Sequence, residues 1–140
     1  MSKEKIFIFD TTLRDGAQTE GVDFSLEDKN KIAKVLSEVG VDYIEGGWPG
    51  ANPVDTEFFS KPIELDKSIF TAFGMTKKTG RSAENDHSLY SLINASCSAI
   101  CVVGKTWDFH VKTALEIKNE DNLEILSIAG GGQLIIIVLL

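Results

Sequence analysis

The stretch Phe9-Asp10-Thr11-Thr12-Leu13-Arg14-Asp15-Gly16-Ala17-Gln18 closes an apolar run that begins at Ile6. Two carboxylates, a guanidinium and an amide within nine positions read as a strand that ends in a functional turn. Three more β-like runs follow at Tyr43–Gly46, Ile69–Gly74 and Ile100–Gly104, each trailed by helix signals. Ser25 is placed to cap the first helix, Glu27 and Asp28 fill its opening turn, and Gly40 stops it. Within it Ile32, Val35, Leu36 and Val39 recur at helical spacing and predict the buried stripe. Asn52-Pro53 caps and starts a short second helix before Phe58 and Phe59, and Asp86 caps a third around Leu89, Leu92 and Ile93. A fourth is predicted after Trp107, with Val111, Ala114 and Leu115 on one face, and Asp121-Asn122 opens another short one.

The strands recur every 31 residues or so, close to the repeat of about 250 residues shared among eight βα units in a (β/α)8 barrel. That spacing predicts an α/β fold, about four βα units forming the N-terminal half of a barrel. An open doubly wound sheet of this length has the same alternation, so spacing alone leaves both architectures open. After Glu124 no charged residue appears. Three glycines, Gly130 to Gly132, lead into seven aliphatics, Leu134 to Leu140. No lysine follows the glycines at phosphate-loop spacing. The tail reads either as a buried final strand or as sequence out of its proper frame from near Ser127, and its abrupt change of character favours the second. The expected division is therefore one α/β domain over residues 4–126, a partial barrel in the first of those two readings, and an aberrant tail, truncated or frameshifted, over 127–140.

The composition, 43% apolar and 25% charged over 140 residues, belongs to a globular protein and excludes disorder and collagen. Fourteen basic against 21 acidic residues leave a net charge of −7, which argues against a nucleic-acid partner and requires that any anionic ligand meet locally placed cations. Cys97 and Cys101, with no signal peptide before them, read as reduced thiols in a cytoplasmic protein. No apolar run reaches the ~20 residues of a membrane span.

Polar groups at the C-terminal end of a barrel strand point into the mouth, where such enzymes keep their sites. Asp15 can offer a hard oxygen to a divalent cation. Arg14 is a permanent cation whose planar donors suit an oxyanion developing beside that metal. Gly16 lets the chain turn sharply.

FDTTLRDGAQ resembles the signature of the DRE-TIM metallolyase superfamily, also described as the pyruvate carboxyltransferase domain. Glu45 in YIEGGWPG matches the superfamily's signature glutamate, so Arg14, Asp15 and Glu45 correspond to all three defining residues. The segments EGVDFSLEDKNKIAKVLSEVGVDYIEGGWPGANPVDTEFF and VVGKTWDFHV are similar in particular to the citramalate synthase branch, over about residues 4–126 in all. The resemblance implies a Claisen-type condensation in which the deprotonated methyl of acetyl-CoA attacks the ketone of an α-keto acid, pyruvate in that branch, and the thioester is then hydrolysed. It implies Mg²⁺ or Mn²⁺, with Zn²⁺ as the alternative, held partly by Asp15. Arg14 would stabilise the nascent alkoxide, Glu45 would orient Arg14, Gln18 would hydrogen-bond near the site, and Lys105 would meet a substrate carboxylate. The parent enzyme is expected to be a cytoplasmic homodimer acting on small molecules, without nucleic acid or membrane.

Isopropylmalate synthases related to this branch carry a histidine on the fourth strand where this chain reads Ile100. His110 is expected to cap or pack, and Trp48 and Trp107 to wall the pocket or cover the rim. The superfamily completes its metal site with a His-x-His pair, whereas this chain's two histidines, His87 and His110, are 23 residues apart. The implied alternatives are 2-isopropylmalate synthase, a lyase or aldolase of the same superfamily, or a non-catalytic half-barrel fragment. The 140 residues by themselves are expected to be inactive.

Overall fold

The computed structural model describes residues 4–82 and 85–126, together with the backbone of residues 134–139. Five strands, β1 (Phe9–Asp10), β2 (Tyr43–Gly47), β3 (Ile69–Met75), β4 (Ala99–Gly104) and β5 (Leu134–Leu139), form one sheet in the order β1-β2-β3-β4-β5. Every pairing is parallel. A doubly wound sheet reverses direction at a switch point, whereas strand order that follows sequence order is the winding of a barrel. Strand order thus decides between the two architectures that spacing left open: this is the N-terminal half of a (β/α)8 barrel.

The helices are α1 (Leu26–Val39), α2 (Pro53–Phe58), α3 (His87–Ile93), α4 (Asp108–His110) and α5 (Asn119–Leu126). Ser25 and Asp28 form a reciprocal capping box at the start of α1, and Gly40 ends it at φ 96°. Asn52 caps α2 ahead of Pro53, and Asp86 caps α3, both as their side chains predict. Ile44, Phe70, Ala72, Ile100 and Val102 join Phe58, Phe59, Leu89 and Leu92 in one hydrophobic core between sheet and helices. Since side chains alternate along a strand, Glu45, Thr71, Phe73, Cys101 and Val103 face the other way, toward the barrel interior.

Four expectations are corrected. The α1 stripe is not Ile32, Val35, Leu36 and Val39: the buried residues are Lys29, Ala33 and Ser37, with Ile32 and Leu36 flanking the core, while Val35 and Val39 are exposed. Small side chains bring the helix close to the sheet, and Lys29 is buried because it finds three acceptors, as shown below. The first strand's regular pairing covers only Phe9–Asp10; Ile6 to Ile8 are exposed to solvent, with Ile8 O accepting from Asp42 N and Tyr43 N at 3.2 and 3.0 Å. The segment after Trp107 is a three-residue α4 running into a π-helical turn, Val111–Leu115, which ends at Glu116 with φ 55°. Of its expected apolar face only Val111 is buried. Finally, Leu134–Leu139 forms a fifth parallel strand beside β4, so the sheet holds one strand more than the four predicted. The supposed change of frame near Ser127 lies outside the described residues. No helix among the described residues is long and apolar enough to cross a membrane.

Candidate active site

The loop after β1 is built on one carbonyl. Thr11 O accepts the N–H groups of Arg14, Asp15 and Gly16 at 3.2, 2.8 and 3.1 Å, folding the segment into a tight turn that continues as a 3-10 turn, Gly16–Gln18. Asp10 stabilises the same bend by accepting from Thr12 N and Thr12 Oγ1 at 3.0 and 2.9 Å. This turn aims Arg14 across the strand ends toward β2.

Arg14 Nε donates to Glu45 Oε2 at 2.9 Å, and Arg14 Nη1 donates to Asp15 Oδ1 at 3.2 Å. The guanidinium also sits over an aromatic ring, its carbon 3.9 Å from the centroid of Phe73 on β3. Glu45 is 1% exposed, so its charge depends on Arg14 as counter-ion. Asp15, by contrast, keeps 61% of its side chain in solvent, with one oxygen turned away from Arg14. Three strands thereby contribute to one cluster: the β1 loop, β2 and β3.

Cys101 completes the floor. Burial pushes its thiol up to about 12, and the nearby Glu45 carboxylate pushes the same way, with Arg14 opposing. It is therefore a neutral thiol beside the buried glutamate. The fourth-strand position that looks at this site is Cys101; Ile100 faces the helix-side core, so its side chain is remote from the chemistry. Strand alternation counted from Gly104 was the signal that could have found Cys101. Both cysteines are free thiols, as composition suggested.

A cleft of about 400 Å³ opens beside Arg14, between the β1 loop and the β2–α2 loop, with Leu13, Gln18, Trp48 and Pro53 in its walls. Gln18 thus shares a cleft with Arg14. Trp48 meets Phe73 edge-on at 5.3 Å and serves as wall. Lys105 follows β4, where its carbonyl accepts from Asn122 Nδ2 at 2.7 Å; among the described residues nothing ties its side chain to Arg14, Asp15 or Glu45. Trp107 is exposed and packs on Phe109 and His110 at 5.0 and 4.6 Å, so His110 is a packing residue. No three carboxylate, histidine or cysteine groups among the described residues converge as a metal site. Asp15 fits a hard cation as a single ligand: its carboxylate is exposed at the mouth and only one of its oxygens is engaged.

The HMGL-like family model matches residues 5–128, which contain all of these groups. The chain belongs to the HMGL-like family. It is 47% identical over 125 residues to (R)-citramalate synthase of Aquifex aeolicus, covering 88% of this chain and 24% of that protein. To 2-isopropylmalate synthase of Sulfurisphaera tokodaii it is 38% identical over 124 residues, covering 89% of this chain and 31% of that protein. The chain thus spans about a quarter of the length of these curated relatives. Among solved structures, HMG-CoA lyase of Bacillus subtilis superposes with a TM-score of 0.63 at 24% identity, over 89% of this chain and 41% of that one. That likeness establishes the fold, and it agrees with a family barrel of which this chain forms the first strands.

Proposed function

We propose that Arg14, Asp15 and Glu45 form part of the reacting centre of an acyltransferase that condenses acetyl-CoA with pyruvate to give citramalate. The observation that carries this reading is the Arg14–Glu45 ion pair with Asp15 beside it, set at barrel strand ends in a chain 47% identical to a citramalate synthase. In the condensation a base takes a proton from the methyl carbon of acetyl-CoA, the resulting enolate carbon bonds to the ketone carbon of the keto acid, the ketone oxygen takes the C=O electron pair as an alkoxide and then a proton, and water cleaves the thioester to free the carboxylate and the thiol of coenzyme A.

Arg14 serves the alkoxide. Its Nε is committed to Glu45 and its Nη1 to Asp15, which leaves Nη2 free of protein acceptors among the described residues and able to donate to a developing oxyanion. Glu45 and the Phe73 ring hold the guanidinium so that little reorganisation accompanies the reaction. Gln18 would hydrogen-bond to the keto acid from the same cleft, and Lys105 would meet a substrate carboxylate at the rim. A divalent ion held partly by Asp15, Mg²⁺ or Mn²⁺ in preference to Zn²⁺, would supply Lewis-acid polarisation of the ketone when bound.

The test is coenzyme A release by a full-length parent that carries the rest of the barrel, with acetyl-CoA and either pyruvate or 2-oxoisovalerate, with and without Mg²⁺; the 140-residue chain alone is expected to show none. Turnover with pyruvate is the expected result. Turnover with 2-oxoisovalerate alone would reassign the chain to 2-isopropylmalate synthesis, and none with either would favour a non-catalytic half-barrel.

A further inference from the structure

We propose that Lys29 is a positioning residue that holds Arg14 and Glu45 in register by gripping the main chain next to each of them; its importance for catalysis rests on the reading of the site given above. Lys29 lies on α1, 3% exposed, and spends all three ammonium protons inside the protein. Nζ donates to Leu13 O at 2.8 Å, to Gly46 O at 2.9 Å and to Asp55 Oδ1 at 2.5 Å. Leu13 immediately precedes Arg14, and Gly46 immediately follows Glu45. One side chain therefore bridges the β1 loop and the end of β2, the two segments that the Arg14–Glu45 contact must span across 31 positions of sequence.

Asp55 fixes the clamp in place. Its Oδ2 accepts from Trp48 N at 2.9 Å, and its own N–H donates to the Asn52 cap at 2.8 Å. Charge pairing by itself would need only Asp55. The two carbonyls, one from each site segment, are what make the arrangement a tether, because without the ammonium both lose their donor at the strand ends and the segments are free to separate.

The chain has two arginines, Arg14 and exposed Arg81, so the side-chain Nε–H region of a ¹⁵N spectrum is simple and Arg81 is an internal reference. Spectra of the 140-residue chain, at concentrations where it is monomeric, should show Arg14 Nε–H exchanging with water at least about tenfold more slowly than Arg81. In Lys29→Met/Asp55→Asn no buried charge is stranded and the asparagine can still accept from Trp48 N, yet the tether is gone. Arg14 exchange should then rise toward that of Arg81, while Lys29→Arg, which keeps the donors, should preserve most of the protection. A folded double variant with Arg14 exchange within about twofold of wild type would make Lys29 a purely structural residue and overturn the proposal.

A second measurement needs no variant. Hydrogen-bond couplings from Lys29 Nζ to the carbonyl carbons of Leu13 and Gly46 are expected in the wild-type chain, and the lack of both would equally overturn it. Neither spectrum involves substrate. Protected Arg14 in the chain with no coenzyme A release by the full-length parent would count against the condensation chemistry alone, and free Arg14 in an active parent against the tether alone.

Discussion

Arg14 is the residue to which the proposed condensation assigns the alkoxide, and its three contacts say how replacement should behave. A lysine keeps the positive charge but lacks the planar fork that reaches Glu45 and Asp15 at once while lying on Phe73. In the intact enzyme Arg14→Lys should lower kcat on the order of 100-fold with a much smaller effect on the KM for pyruvate, as expected for a donor used chiefly in the transition state. Coenzyme A release measures both constants, and a variant within a factor of ~3 of wild type would place Arg14 outside the transition-state contacts. Cys101 makes a separate prediction. Its folded thiol titrates near 12 against an ordinary value near 9, so the fold prefers it protonated. This contribution is fully present below pH 9 and is lost as pH rises from 9 toward 12, where the unfolded thiol ionises and the folded one does not. The urea midpoint should therefore fall between pH 8.5 and 10.5, with a shallower fall in Cys101→Ala. Equal slopes in the two proteins would show that burial beside Glu45 does not raise the thiol. The neighbourhood of Arg14, Asp15 and Gln18 was legible because polar groups crowd the end of the first strand, and that of Glu45 through the resemblance to the superfamily's signature glutamate. Lys29 was not, since a lysine beside acidic residues on a helix reads as solvated until its acceptors, 16, 17 and 26 positions away, are known.

At the scale of elements, the local signals account for most of what forms. Ser25, Asn52 and Asp86 each cap the helix they precede, because a side-chain oxygen and a nearby N–H are a matter of adjacent residues. Helix faces are another matter. Val35 and Val39 have the right period for burial, yet the face that meets the sheet is rotated onto Lys29, Ala33 and Ser37. Periodicity locates a stripe on a helix, but the neighbour decides which stripe is covered. The join between β2 and α2 illustrates how closely such neighbours fit. The β2–β3 register slips between Glu45 and Gly47, and Gly47 adopts φ 150°, where a Cβ would stand 2.5 Å from the Asp55 carboxyl carbon. Since Asp55 is anchored by Lys29 and by Trp48 N, it has no room to retreat. Gly47→Ala should lower stability by about 1–3 kcal/mol, the usual cost of a strained backbone position. Chemical denaturation checks this through a lowered midpoint at unchanged m, and a midpoint equal to wild type would mean that the clamp yields easily.

For the whole molecule the decisive feature is a parallel sheet with two ends. β1 and β5 each have a single strand neighbour, and leading into β1 the side chains of Ile6, Phe7 and Ile8 are 85, 53 and 58% exposed. Unpaired main-chain groups flanked by apolar side chains invite pairing with another strand. The 140-residue chain should accordingly self-associate in a concentration-dependent way, and Ile6→Lys/Ile8→Lys should shift it toward monomer on size-exclusion chromatography without loss of helical signal. An unchanged elution profile would place the contact elsewhere, at the β5 edge in particular. Sequence alone determined the βα alternation, the helix caps and the polar turn that carries Arg14 and Asp15, because each depends on groups a few positions apart: a period, a capping oxygen, a turn rich in polar side chains. Tertiary structure alone decided the strand order that makes the sheet a barrel segment, the pairing of residues 134–139 with β4, the inward turn of Cys101 and the burial of Lys29. Each of those depends on partners tens of residues distant, whose positions exist only once the chain has closed on itself.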